Sequence, residues 1–243
     1  MKTHCFIPWL NRHSGRSLMA ALIMMSGLLS LTYQPLSAQI LPDYSVVEGV
    51  DPVTLVQQVL IGQGVETSNI TYQGAVEARG TFYGESNLGI VSGVVLTSGR
   101  ANYSAGPNNV GNKSYNAGTG GDAALTQLCG DGTNDACVLE FDFIPQSNIV
   151  EFRYVFGSEE YPEYVNQFND VFGFFISGPD IFGPFPSPPE FNGARNIALV
   201  PQTLPSAYVS IDNINNGNNN TGPCTNCEYY VHNSGGQYIQ YDG

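Results

Sequence analysis

Forty residues in the middle of the chain decide what it can fold into. Val138–Phe143 (VLEFDF) alternates, with Leu139, Phe141 and Phe143 on one side and Glu140 and Asp142 on the other. Val150–Phe156 (VEFRYVF) alternates again, with Val150, Phe152, Tyr154 and Phe156 inward. A period of two belongs to strands, because successive side chains of an extended backbone point to opposite faces. Ile144–Asn148 (IPQSN) lies between the two runs, and such a polar break predicts a β-hairpin with Glu140 or Asp142 across from Arg153. Asp170–Ser177 (DVFGFFIS) is apolar on both faces and predicts a covered central strand. Asn196–Val200 and Tyr208–Ile214 are shorter strand candidates, whereas the four prolines within Ile181–Asn192 exclude an interior strand there. One helix is expected near the N-terminus. Asp51 can cap it, Pro52 takes the first helical position, Val53, Val56, Val59 and Leu60 recur near a period of 3.6, and Gly62 and Gly64 end it. The predicted fold is mainly β: an antiparallel β-sandwich with one short N-terminal helix.

The first 38 residues have the marks of an export signal. Lys2, Arg12 and Arg16 make a basic leader, Leu18–Leu31 is mostly apolar, and Leu36-Ser37-Ala38 offers a small-residue cleavage site. The apolar run is shorter than the ~20 residues that a membrane helix needs. An uncleaved N-terminal anchor is the alternative. Cleavage leaves residues 39–243 as a single domain, with no membrane span, secreted or at the cell surface. It also leaves five basic residues against 21 acidic ones, a net charge of −16. A nucleic-acid binder concentrates positive charge on phosphate, so this balance excludes nucleic acid as a partner. It favours cations instead, and an extracellular protein or glycan as partner. Of the five cysteines, Cys5 falls in the leader. The other four, Cys129, Cys137, Cys224 and Cys227, are an even number in an exported chain and predict disulfides. Pairing Cys129 with Cys137 and Cys224 with Cys227 closes the least chain.

The segment between Phe156 and Asp170 concentrates oxygen-bearing side chains in a chain that is only 12% charged. Glu159, Glu160, Glu163, Asn169 and Asp170 are candidate ligands for Ca²⁺, which takes six to eight oxygen donors from carboxylates, amides, carbonyls and water. Glu159 and Glu160 are adjacent, so in extended backbone only one of them faces a given ion. The competing reading is architectural, with these side chains bonding backbone N–H groups and Tyr161 and Tyr164 packing over a sheet edge. Glu159, Glu163 or Asp170 could also supply the carboxyl pair of a carbohydrate-active enzyme. Other catalytic signatures are missing: there is no G-x-S-x-G elbow, and after cleavage His232 is the only histidine. A third reading is a carbohydrate-binding module that stacks sugar on Tyr161, Tyr164, Tyr229 and Tyr230.

Several stretches in order resemble the choice-of-anchor L domain, a family of exported bacterial surface proteins. They are Gly93–Gly99 (GVVLTSG), Ala105–Asn108 (AGPN), Leu139–Phe143 (LEFDF), Tyr154–Tyr161 (YVFGSEEY), Asn169–Pro179 (NDVFGFFISGP), Asn196–Pro201 (NIALVP) and Val209–Asn215 (VSIDNIN). The resemblance implies a surface or secreted module without an established activity or catalytic residues; together with the leader and the acidic, low-charge composition it leads to the expectation of a non-enzymatic module for adhesion or display. Members of the family continue beyond the point matching Tyr241-Asp242-Gly243, through another acidic strand segment to an anchor. The resemblance therefore implies that this domain is C-terminally truncated.

Overall fold

The computed structural model describes residues 4–7, 43–61, 65–145 and 149–243. Most of the expected leader, the helix stop at Gly62 and Gly64, and Gln146–Asn148 of the expected hairpin turn lie outside the described residues. The architecture is mainly β, in several antiparallel sheets. The largest sheet holds β1 (His4–Ile7), β2 (Ser45–Glu48), β4 (Arg79–Tyr83) and β5 (Ser92–Thr97), in the order β1-β5-β4-β2. β3 (Glu66–Gln73) pairs with β6 (Val138–Ile144), β7 (Val171–Phe172) with β10 (Val209–Ser210), and β8 (Phe175–Ile176) with β9 (Arg195–Asn196). β1 comes from the expected leader, so cleavage would remove it from the edge of β5.

β5 organises the core because its sequence is apolar on both faces. Val94 and Leu96 join one buried cluster with Leu55, Val56, Leu60, Phe172 and Val209. Val95 points the other way, into a cluster with Tyr44, Phe82, Ile239 and Tyr241. Burying a side chain of this kind contributes about 1.5–3 kcal/mol. Gly80 lets β2 and β4 approach, since a Cβ there would lie 2.4 Å from the Val47 carbonyl oxygen.

The N-terminal helix forms with a changed pitch. Asp51 caps it, its side chain accepting from the Thr54 N–H at 3.2 Å, and Pro52–Thr54 is α-helical. Leu55–Leu60 then widens to i→i+5 turns, with the Ile61 N–H bonded to the Val56 carbonyl at 2.9 Å. The wider turn places Leu55 above Leu60, and both are buried together with Val56. Val53, expected on the inner face, is exposed. A second short helix, Ala123–Cys129, was not expected from the sequence. Asp122 caps its start by accepting from the Leu125 N–H at 2.8 Å, and Gly130 ends it at φ 74°.

β6 has the alternation read from its sequence, with Leu139, Phe141 and Phe143 half-buried and Glu140 and Asp142 exposed. The predicted hairpin is corrected: the partner of β6 is β3, with a register shift between Ser68 and Thr71. Asn69 Nδ2 donates to Asp142 at 2.6 Å, and the guanidinium of Arg153 goes instead to the Gly89 carbonyl. Val150–Phe156 joins no ladder among the described residues. It covers the neighbouring strands with its rings, Phe152 on Phe174 at 4.4 Å and Tyr154 on Phe172 at 5.0 Å. The expected strand Asp170–Ser177 divides into β7 and β8. It breaks where Asn196 Oδ1 takes the Phe174 N–H at 2.9 Å.

Candidate functional site

The acid-rich segment after Phe156 folds as a compact series of turns. The Tyr164 N–H bonds to the Glu160 carbonyl and the Phe168 N–H to the Tyr164 carbonyl, both at 3.0 Å. Tyr161 anchors it. Its hydroxyl donates to the Ile214 carbonyl at 2.5 Å, its ring lies 4.8 Å from that of Tyr230, and Val165 and Ile211 pack beside it. At one end the Ser158 hydroxyl donates to Asp170 at 2.7 Å and accepts from the Glu160 N–H at 2.9 Å. At the other end Asp212 accepts from the Asn166 N–H at 2.8 Å, and Asn169 Oδ1 accepts from the Asp212 N–H at 3.2 Å.

The expected calcium ligands differ in burial. Glu159 and Asp170 are buried, 6% and 1% exposed, while Glu163 is exposed and Glu160 and Asn169 are half-buried. Glu159 and Glu160 sit in a bend of the backbone, the first buried and the second half-buried. Asn169 and Asp170 are engaged within the protein as described.

Glu159 meets two residues that its local sequence did not point to. The C-terminal stretch returns beside it: the Ser158 N–H bonds to the Gly243 carbonyl at 2.8 Å and the Gly243 N–H to the Ser158 carbonyl at 3.3 Å. This pairing brings the buried side chains of Gln240 and Asp242 against Glu159. Burial first, and then the charge of Asp242, push the Glu159 carboxyl up to about 8. Neither Glu159 oxygen has a hydrogen-bond partner, nor has Asp242 Oδ2 or Gln240 Oε1. Gln240 is held in that orientation because its Nε2 donates to the Val110 carbonyl at 2.7 Å, and Asp242 Oδ1 is held by Asn108 Nδ2 at 2.8 Å.

The tyrosines considered for sugar stacking divide. Tyr161, Tyr229 and Tyr230 line a cavity of about 420 Å³ together with Phe156, Leu199 and Tyr241, and Tyr164 lies outside it. Tyr229 and Tyr230 are accessible there, whereas Tyr161 is 2% exposed. His232 is exposed, its Nδ1 near the Tyr230 hydroxyl and the Asn220 amide.

Cys224 and Cys227 form a disulfide, as expected. Cys129 and Cys137 are not joined, which corrects the local pairing. The seven residues between them run through the helix end and back, and each thiol finds other neighbours. Cys137 Sγ lies against the Tyr72 hydroxyl and the Ala78 carbonyl, and Cys129 Sγ against the Thr126 and Asp131 carbonyls. Among the described residues one group of three Cys, His, Asp or Glu side chains has ligand atoms within 4.8 Å: Cys224, Cys227 and Glu228. Its sulfurs are in the disulfide, and such a set does not suit calcium, which takes oxygen.

The family model of the choice-of-anchor L domain matches residues 45–243. The chain belongs to the choice-of-anchor L family. No curated protein and no solved structure matches it. Choice-of-anchor L domains are exported bacterial proteins of the cell surface, and that is the setting of this chain. Among the described residues no helix is long and apolar enough to cross a membrane.

Proposed function

We propose that this choice-of-anchor L domain is a non-enzymatic surface module used for adhesion or display, with an extracellular protein or glycan as its partner. The observation that carries this reading is where the carboxylates and the tyrosines lie. Glu159 and Asp170, which a glycosidase would need at its substrate, are closed inside the fold, and Glu163 stands apart from them on the surface. Tyr229 and Tyr230 instead border an open, mostly apolar cavity whose size falls within the range of small-ligand sites. That arrangement suits recognition by contact. The Ser158–Asp170 segment is the framework that holds the wall beneath Tyr230, through the Tyr161 ring.

Carbohydrate binding is the more specific form of this reading, because exposed aromatic faces are what sugars stack on. The test is to present the leader-free protein to a glycan array and to a panel of extracellular proteins. Retention that weakens in Tyr229→Ala and Tyr230→Ala supports the reading, and the array separates glycan from protein. Hydrolysis of a polysaccharide panel that disappears in Glu163→Gln would overturn it in favour of an enzyme.

A further inference from the structure

The point of contact between Glu159 and the C-terminal stretch is chemically unfinished. Glu159 and Asp242 are more than nine-tenths buried and Gln240 wholly so. Four of their oxygens, both of Glu159 and one each of Asp242 and Gln240, have no hydrogen-bond partner. A buried carboxylate is stable only when it is paired, hydrogen-bonded or bound to metal. Among the described residues no cationic side chain is paired with them. Lys113 attracts Glu159 without forming an ion pair with it, and its ammonium lies over the Tyr103 ring. A shared proton would serve one Glu159–Asp242 contact and leave Gln240 Oε1 without a donor, since Gln240's own amide N–H groups, one of them on Val110, cannot supply it. The oxygens are also fixed in place: Asn108 orients Asp242, Val110 orients Gln240, and the paired backbones of Ser158 and Gly243 set the spacing between the two strands of chain.

We propose that Glu159, Asp242 and Gln240 form the seat of one divalent cation, calcium by its donors, which ties the C-terminal stretch to the start of the Ser158–Asp170 segment. Two carboxylates and an amide carbonyl are hard oxygen ligands, and calcium accepts such an irregular set and completes its shell with water or backbone carbonyls. Magnesium, which demands a near-octahedral shell and gives up water reluctantly, fits it less well. The ion would be a brace and not a reagent. The proposal rests on reading the segment as framework, and it moves the expected calcium from the length of the segment to its first turn.

The experiment is calorimetric titration of calcium into the leader-free protein after EDTA treatment, with thermal melting in EDTA and in millimolar calcium. The expected result is one calcium per chain and a melting temperature several degrees higher. Glu159→Gln and Asp242→Asn each weaken binding by about tenfold or more, because each replaces a charged ligand by a neutral amide. Glu163→Gln, whose side chain is exposed, leaves binding unchanged. Both site variants should melt in EDTA no lower than the parent, since each removes one of two facing carboxylates. If Glu159→Gln does not fold, Asp242→Asn decides. A folded parent protein that gives no heat with calcium overturns the proposal, as does binding that survives in both site variants. Calcium binding without retention on any glycan or protein would leave the seat standing and remove only the adhesion reading.

Discussion

Replacing Tyr161 with Phe removes a single oxygen and tests whether the acid-rich segment is framework. The hydroxyl donates to the Ile214 carbonyl at 2.5 Å in an environment where the side chain is 2% exposed. Burial pushes the phenol's pKa up, so it stays a neutral donor at any ordinary pH. The ring should keep its place against Tyr230, Val165 and Ile211, so the loss is confined to the hydrogen bond and an abandoned carbonyl. A buried polar group left without its partner costs about 1–3 kcal/mol. In a domain of this size each kcal/mol moves the melting temperature by about 2–4 °C, which gives a fall of roughly 2–12 °C. Differential scanning calorimetry reads it directly. Tyr164→Phe is the control, because that side chain is 39% exposed and its loss should fall within about 0.5 kcal/mol. Equal melting temperatures for Tyr161→Phe and the parent would refute the reasoning, and would mean that the segment is not anchored through Tyr161.

The two thiols should behave differently. Cys137 is buried and pushed up to about 11 by that burial, so in native protein at pH 8 a thiol reagent should modify Cys129 and reach Cys137 only after denaturant is added; rapid modification of both would contradict the packing. Phe172→Ala empties a wholly buried position in the largest cluster and removes the ring against Tyr154, so urea unfolding should show a loss of about 3–5 kcal/mol. Gly80→Ala should also destabilise, since its methyl would meet the Val47 carbonyl and push β2 from β4, a change visible as a lower melting temperature.

Which parts of this fold could be read from the sequence follows from the range of the interactions involved. β6 was legible because burial on one face writes a period of two into its own residues, and the burial along the strand follows it. Its partner was not. β3 (ETSNITYQ) is largely polar, carries the register shift at Ser68–Thr71, and lies some 70 residues away, whereas Val150–Phe156 is nearer and more regular. That run spends its alternation on ring contacts with Phe172 and Phe174 instead of a ladder. The helix Ala123–Cys129 had its cap and its terminal glycine in view, but seven residues give almost no period to read. At the candidate site, Glu159 was one of five candidate ligands read from the chemistry of the segment. Asp242 and Gln240 were not, because only the pairing of Ser158 with Gly243 brings them there.

The most direct test of the central claim is hydrogen–deuterium exchange across residues 158–170, compared with β5. The amides of Ser158, Glu160, Tyr164, Asn166 and Phe168 all donate to protein acceptors. If the segment is framework, they exchange as slowly as Val94–Leu96, and more slowly still with calcium present. If they exchange at the rate of an open surface loop while β5 stays protected, the segment is not what holds this domain together.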